Sequence, residues 1–129
     1  MYCIDTDIII EYLRGNNKVI AKVDKFKDKI SLTPITLLEL HFGAYISDKK
    51  EERLKQVEGL MKQFGILNFN ANSFTSFGQI KSDLMRKGIS LDNFDLCIAS
   101  LALVNNKILV TNNLQHFRRI NGLKVENWL

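Results

Sequence analysis

The sequence predicts a three-layer α/β/α fold around a central, mostly parallel sheet. Three observations lead there. Short apolar strands alternate with amphipathic helices along the chain. The segments between strands are long enough to hold the crossover helices that parallel strands need. The 129 residues, 46% hydrophobic and 25% charged, suit one domain over 1–129 with its own core.

Tyr2–Asp5 opens as a short strand, and Thr6–Arg14 follows as a helix closed by Gly15. Val19, Ile20, Val23 and Phe26 recur at helical spacing, with lysines between them, and predict a helix over Lys18–Phe26. Ile30–Thr33 is a strand. Pro34 stands at the first turn of a helix over Ile35–Ser47, and a second helix, rich in Lys and Glu, spans Asp48–Phe64. Ile66–Phe69 is the third strand. Asn72 or Ser73 caps a helix that runs to Lys87 and ends at Gly88. Asp92–Asn105 is a strongly apolar helix, and KILVT, Lys107–Thr111, is the clearest buried strand. A loop or short helical turn over Asn112–Phe117 and an edge strand over Leu123–Glu126 complete the chain.

Bulk properties exclude several classes. Cys3 and Cys97 both lie in apolar runs and lack any Cys-x-x-Cys partner, so they read as buried hydrophobes in a reducing compartment. The opening MYCIDTDIII places acids where a secretory signal needs bases. No stretch approaches the ~18 apolar residues of a membrane span, and a cytoplasmic location is expected. The net charge of +4 is compatible with a polyanionic partner without requiring one.

In a parallel α/β sheet the active site lies beyond the carboxyl ends of the strands. Most of the 14 acids stand among lysines and arginines and read as solvated helix faces. Three do not. Asp5 ends the strand YCI, Glu39 lies inside TPITLLELHFGAY, and Asp95 lies in FDLCIASLALV. A carboxylate in apolar company is costly to ionise without a partner. Asp5 could serve only as a helix cap, and Asp92 with Asp95 as a capping pair. Glu39 has no lysine or arginine within helical reach.

The topology can bring all three acids to one end of the sheet. Carboxylates ~4 Å apart repel by about 4 kcal/mol at an effective dielectric near 20, so such a cluster needs protons or cations. All-oxygen ligands suit Mg²⁺ or Mn²⁺, which support phosphoryl displacement. Asp7 and Asn113 are further candidate ligands. Thr6, Thr111 and Asn112 are candidate substrate contacts, and Arg14, Lys87, Arg118 and Arg119 a candidate basic rim for a phosphate-bearing polyanion. Thr36 is a plausible hydrogen-bond partner for the carboxylates. His41 and His116 read as packing or surface residues.

Three motifs, YCIDTDIIIEYLRG, SLTPITLLELHFGA and FDLCIASLALVNNKILVTNNLQHF, together with the tail FRRINGLKVENWL, give the chain a resemblance to the PIN-domain family and its VapC-type toxins. The resemblance covers essentially the whole chain. It implies a Mg²⁺- or Mn²⁺-dependent endoribonuclease with Asp5, Glu39 and Asp95 as catalytic metal ligands. It also implies a homodimer inhibited by an antitoxin whose segment crosses the active-site groove, for which Ile9, Tyr12, Leu13, Phe42 and Tyr45 are candidate lining. Asp7 departs from the more usual Asn, and Asn113 or His116 stands where the family often has a fourth acid. Two other readings compete. One is an aspartate-nucleophile phosphatase, suggested by Asp5-Thr6-Asp7 after a strand. The other is a non-catalytic RNA-binding module on the same fold.

Overall fold

The structure, a computed structural model, describes residues 1–129. Five strands, β1 (Tyr2–Ile4), β2 (Ile30–Leu32), β3 (Gly65–Ile66), β4 (Ile108–Val110) and β5 (Val125–Glu126), form one sheet in the order β3-β2-β1-β4-β5. Every pairing is parallel. The first strand is therefore the middle of the sheet. It pairs with β2 in register Tyr2 to Ile30 and with β4 in register Tyr2 to Ile108.

Alternation along β1 creates two cores. Tyr2 and Ile4 face one way, with Leu32, Val110 and the buried faces of α1 (Thr6–Leu13), α2 (Asn17–Phe26), α3 (Pro34–Tyr45) and α4 (Lys50–Gln63). Cys3 and Leu109 face the other way. There they meet α5 (Ala71–Arg86), α6 (Asn93–Val104) and Phe117 of the short α7 (Leu114–Phe117). These are the three layers expected. On the first face Trp128 folds back over the sheet, edge-on to Tyr2 at 5.1 Å and stacked on Phe26 at 5.9 Å between centroids. Both cysteines are free, Cys3 buried and Cys97 half-buried.

Several boundaries differ from expectation for local reasons. Asn70, not Asn72 or Ser73, caps α5. Its side chain accepts from Ser73 N–H (3.1 Å) while Ser73 Oγ accepts from Asn70 N–H (2.8 Å), so Ser73, the third residue of the helix, is the partner in a capping box. α4 starts at Lys50 because Ser47 Oγ accepts from Lys49 N–H and holds residues 47–49 in a turn. β3 and β5 are two residues each, shorter than their apolar runs suggested. The 3-10 turn Lys27–Lys29 leads from α2 into β2.

α3 carries apolar residues all round. Ile35, Leu37 and Leu40 are buried, whereas Leu38, Phe42, Tyr45 and the following Ile46 are exposed. Burial on this helix cannot be read from its sequence neighbours, a point that matters for Glu39.

Phe117 is fully buried against the second core. Phe117→Ala should cost about 3–5 kcal/mol in urea denaturation, whereas Phe42→Ala, at an exposed position, should change stability by about 0.5 kcal/mol or less. Equal costs at the two positions would contradict this layering.

Candidate functional site

The carboxyl ends of β1 and β4 lie side by side, and Asp5 continues the ladder: its N–H donates to Val110 O at 2.9 Å. Its side chain also caps α1, Oδ1 accepting from Thr6 N–H at 2.8 Å. Oδ2 accepts from the Thr111 hydroxyl at 2.8 Å, across the gap from β4. The capping reading of Asp5 therefore holds. The cap fixes the carboxylate in place.

Thr6 links the second acid. A hydroxyl has one proton, and the carboxylate Oε1 of Glu39, 2.7 Å from Thr6 Oγ1, takes it. The Thr36 hydroxyl lies 3.0 Å from Thr6 Oγ1. Thr33 in turn caps α3 through Thr36 N–H. Asp7, in the first turn of α1, accepts from Asn112 N–H at 3.0 Å and from Ile8 N–H at 2.8 Å. Asp95 is half-buried in the first turn of α6, behind the Asp92 cap. Asp5, Asp7, Glu39 and Asp95 thus lie at one end of the sheet, on three helix N-terminal halves.

Their charges feel one another. Burial, then the Asp7 carboxylate, and more weakly Asp95, push the Asp5 carboxyl up to about 7, against the Thr111 and Thr6 hydrogen bonds. Burial also raises Asp7. Burial, then Asp92, Glu39 and Asp7 raise Asp95, while His116 opposes them. None of the four acids forms an ion pair with a lysine or arginine.

Residues 2–123 match the family model described as PIN domain. The chain belongs to the PIN-domain family. It is 33% identical to the Ribonuclease VapC2 of Rickettsia felis, covering 99% of this chain and 98% of that protein. It is 34% identical to the tRNA(fMet)-specific endonuclease VapC of Shigella flexneri, covering 98% and 97%. Among solved structures it resembles a DNA-bound VapBC from Salmonella typhimurium, with TM-score 0.93, 30% identity and 99% and 98% coverage.

Within this PIN domain the sequence-derived site residues take distinct places. Thr6 and Thr111, expected as substrate contacts, are buried with their hydroxyls committed to Glu39 and Asp5. They hold carboxylates. Glu39 is exposed, so the cost of burial does not single it out; its place beside Thr6 does. Asn112 is exposed beside Asp7, and Asn113 is half-buried with Nδ2 2.7 Å from His116 Nδ1. His116, exposed as expected, also bonds Asn113 and lies close enough to Asp95 for its charge to be felt there. His41 instead bonds Leu37 O on its own helix. Arg14 lines a groove with Glu39, and Lys87 pairs with Asp83 at 3.4 Å. Arg118 is exposed at the end of α7. Arg119 lines a depression with Ser76, Asp83 and Leu103. Leu103 is about 12 Å along α6 from Asp95 at 1.5 Å per residue, so Arg119 does not rim the acids. Asn127 was not anticipated: its Nδ2 donates to Asn112 Oδ1 at 3.1 Å.

The donor set suits a hard divalent ion, since it is all oxygen, carries uncompensated negative charge and opens to solvent at Glu39. No three of the His, Cys, Asp or Glu side chains are drawn together into a ready-made ligand shell. Thr6 and Thr111 hold Glu39 and Asp5 in place by hydrogen bonds.

Asp5 sets a pH dependence for the metal-free protein. Between its ordinary 3.8 and about 7 the folded chain holds a proton that the unfolded chain has released. Stability therefore falls as pH rises through that window, by on the order of 4 kcal/mol. In chelator, Asp5→Asn should gain stability over the parent between about pH 4 and about pH 8. A pH-independent difference in urea midpoints would refute the buried, raised carboxyl.

Proposed function

We propose that this chain is the toxin of a VapBC-type pair, a cytoplasmic endoribonuclease that hydrolyses RNA phosphodiester bonds with Mg²⁺ or Mn²⁺ at Asp5, Glu39 and Asp95. The observation that carries it is that these acids and Asp7 lie at one end of the sheet close enough to feel one another's charge, with no lysine or arginine paired to them, while hydrogen bonds fix Asp5, Asp7 and Glu39. VapC ribonucleases among its relatives support the RNA assignment. A divalent ion bound there supplies countercharge and Lewis acidity toward a phosphodiester.

The chain's own residues position that chemistry. Thr6 N–H and the Thr111 hydroxyl hold the two Asp5 oxygens, and the Thr6 hydroxyl orients Glu39. Asn112 holds Asp7. Asn113 and His116 contribute neutral or weakly basic groups where another acid would add repulsion. The phosphatase reading is less supported. Glu126 is the only acid after Thr111, and its carboxylate accepts from Trp128 Nε1.

The antitoxin has a place to bind. A groove of about 400 Å³ runs from Glu39 between α1, α3 and α4, lined by Ile10, Leu13, Leu40, Ala44 and Val57 with Arg14 at its side. Ile9, expected in this lining, is fully buried in the core, because Ile8 and Ile9 share the face of α1 turned to the sheet. Phe42, Tyr45 and Ile46 extend the apolar surface along α3, more than an isolated chain leaves uncovered without purpose. An apolar antitoxin segment fits the groove, and a basic side chain on it, Arg above all, reaches the acids as countercharge. Pairing of two copies as a homodimer would cover the rest.

Asp5→Asn, Glu39→Gln and Asp95→Asn should each lower RNA cleavage by about 10³-fold or more, and Asn113→Ala by less. Mn²⁺ should raise the thermal midpoint of the parent protein and do so less for these variants. Full activity of Glu39→Gln in Mg²⁺ or Mn²⁺ would remove Glu39 from the site. Growth arrest on expression alone, relieved by the neighbouring small gene and accompanied by co-purification, is the expected result for a toxin. Harmless expression of a protein that cuts RNA in vitro would favour a housekeeping nuclease.

A further inference from the structure

The tail ENWL and the lysines of α2 play no part in the chemistry above, yet the structure joins them beside it. Lys18, Lys22 and Lys25 lie four and three residues apart and so share one face of α2. With Asn127, Trp128 and Leu129 they line a shallow concavity of about 450 Å³. No acidic side chain lines it, and none of the three lysines is in an ion pair. Asp24, two residues from Lys22, points to the opposite side of the helix.

Two of these ammonium groups are positioned. The Nζ atoms of Lys22 and Lys25 lie 6.0 and 5.2 Å from the centroid of Phe26, which stacks on Trp128. Trp128 is buried, with Nε1 donated to Glu126, so it offers no open ring face for a base. The stripe is a row of unpaired point charges about 10 Å long at 1.5 Å rise per residue.

One end of the concavity touches the acid site. Asn127, in its lining, donates to Asn112, whose N–H donates to Asp7. A polyanion leaving the acids past the Asn112 turn therefore meets Asn127 and then the lysines.

We propose that Lys18, Lys22 and Lys25, with Asn127 as the link, form a track that binds the phosphate backbone of single-stranded RNA beyond the bond cut at the acids. The assignment of RNA rests on the nuclease reading above. Lysines contact phosphates as point charges, so the track adds affinity and direction without choosing a base sequence.

The test compares the parent with Lys18→Gln/Lys22→Gln/Lys25→Gln. A control, Lys50→Gln/Lys55→Gln/Lys62→Gln on the exposed side of α4, removes the same net charge. Binding of a fluorescein-labelled single-stranded RNA of about 20 nucleotides, longer than a typical single-strand site, is read by anisotropy in chelator, and cleavage separately in Mn²⁺. The α2 variant should bind roughly tenfold more weakly at low salt, and its log Kd against log salt slope should fall by about 2, near 0.7 for each lost phosphate contact. Its KM should rise more than its kcat falls, while the α4 variant binds nearly as the parent does. Equal losses in both variants, or none in either, would overturn the track. So would weaker binding of duplex DNA with RNA binding intact. A parent that cuts no RNA but binds it through the α2 lysines alone would overturn the nuclease reading and leave the track standing.

Discussion

Asp5 is held between two strands that meet only through long-range pairing. Its backbone N–H closes the β1–β4 ladder, one carboxylate oxygen caps α1, and the other takes the hydroxyl of Thr111. The charge is unfavourable there, which is why the carboxyl rises to about 7. A group in that position does not stabilise the fold in its charged state. The fold instead gives up part of its stability to keep the carboxylate at this place. The remaining polar frame is arranged around this one side chain, with Thr6 reaching to Glu39 and Thr111 accepting from Asn113 N–H.

Much of this was legible in the sequence, though not always for the right reason. The alternation of strands and helices, and the rule placing sites at strand carboxyl ends, led directly to Asp5 and to Thr111. For Asp5 the physical premise was sound in that the carboxylate is buried and costly to ionise. Glu39 was singled out on the same premise, which does not hold for it. α3 is apolar on every side, so leucines next to Glu39 in sequence say little about what surrounds its carboxylate. What distinguishes Glu39 is a hydroxyl from a residue 33 positions away, and no local pattern reports that.

Side-chain direction was the main thing hidden. Thr6 and Thr111 were placed at the correct end of the sheet, but whether a hydroxyl faces a substrate or a carboxylate depends on how β1 and β4 align. Ile9 and Ile10 differ by one position and by about 100° around α1, which sends one into the core and the other into the groove. Arg119 follows Thr111 by only eight residues in sequence, yet it lies with Leu103 toward the far end of α6. Asn127 escaped notice because its partner, Asn112, lies 15 residues away across β5.

The order of the strands also bears on when the protein can act. The first strand sits in the centre of the sheet, and its partner β4 is made more than a hundred residues later, as the 106-residue separation of Asp5 and Thr111 records. Contacts of such high sequence separation form late, since the intervening chain must be closed before they are rewarded. During synthesis, Asp5 emerges first and waits for Thr111. The carboxylate frame is complete only when nearly the whole polypeptide has left the ribosome. A nascent chain interrupted before β4 would carry three of the four acids, or even all of them, without the strand that sets them in place. This topology ties the finished arrangement of the acids to an almost complete chain.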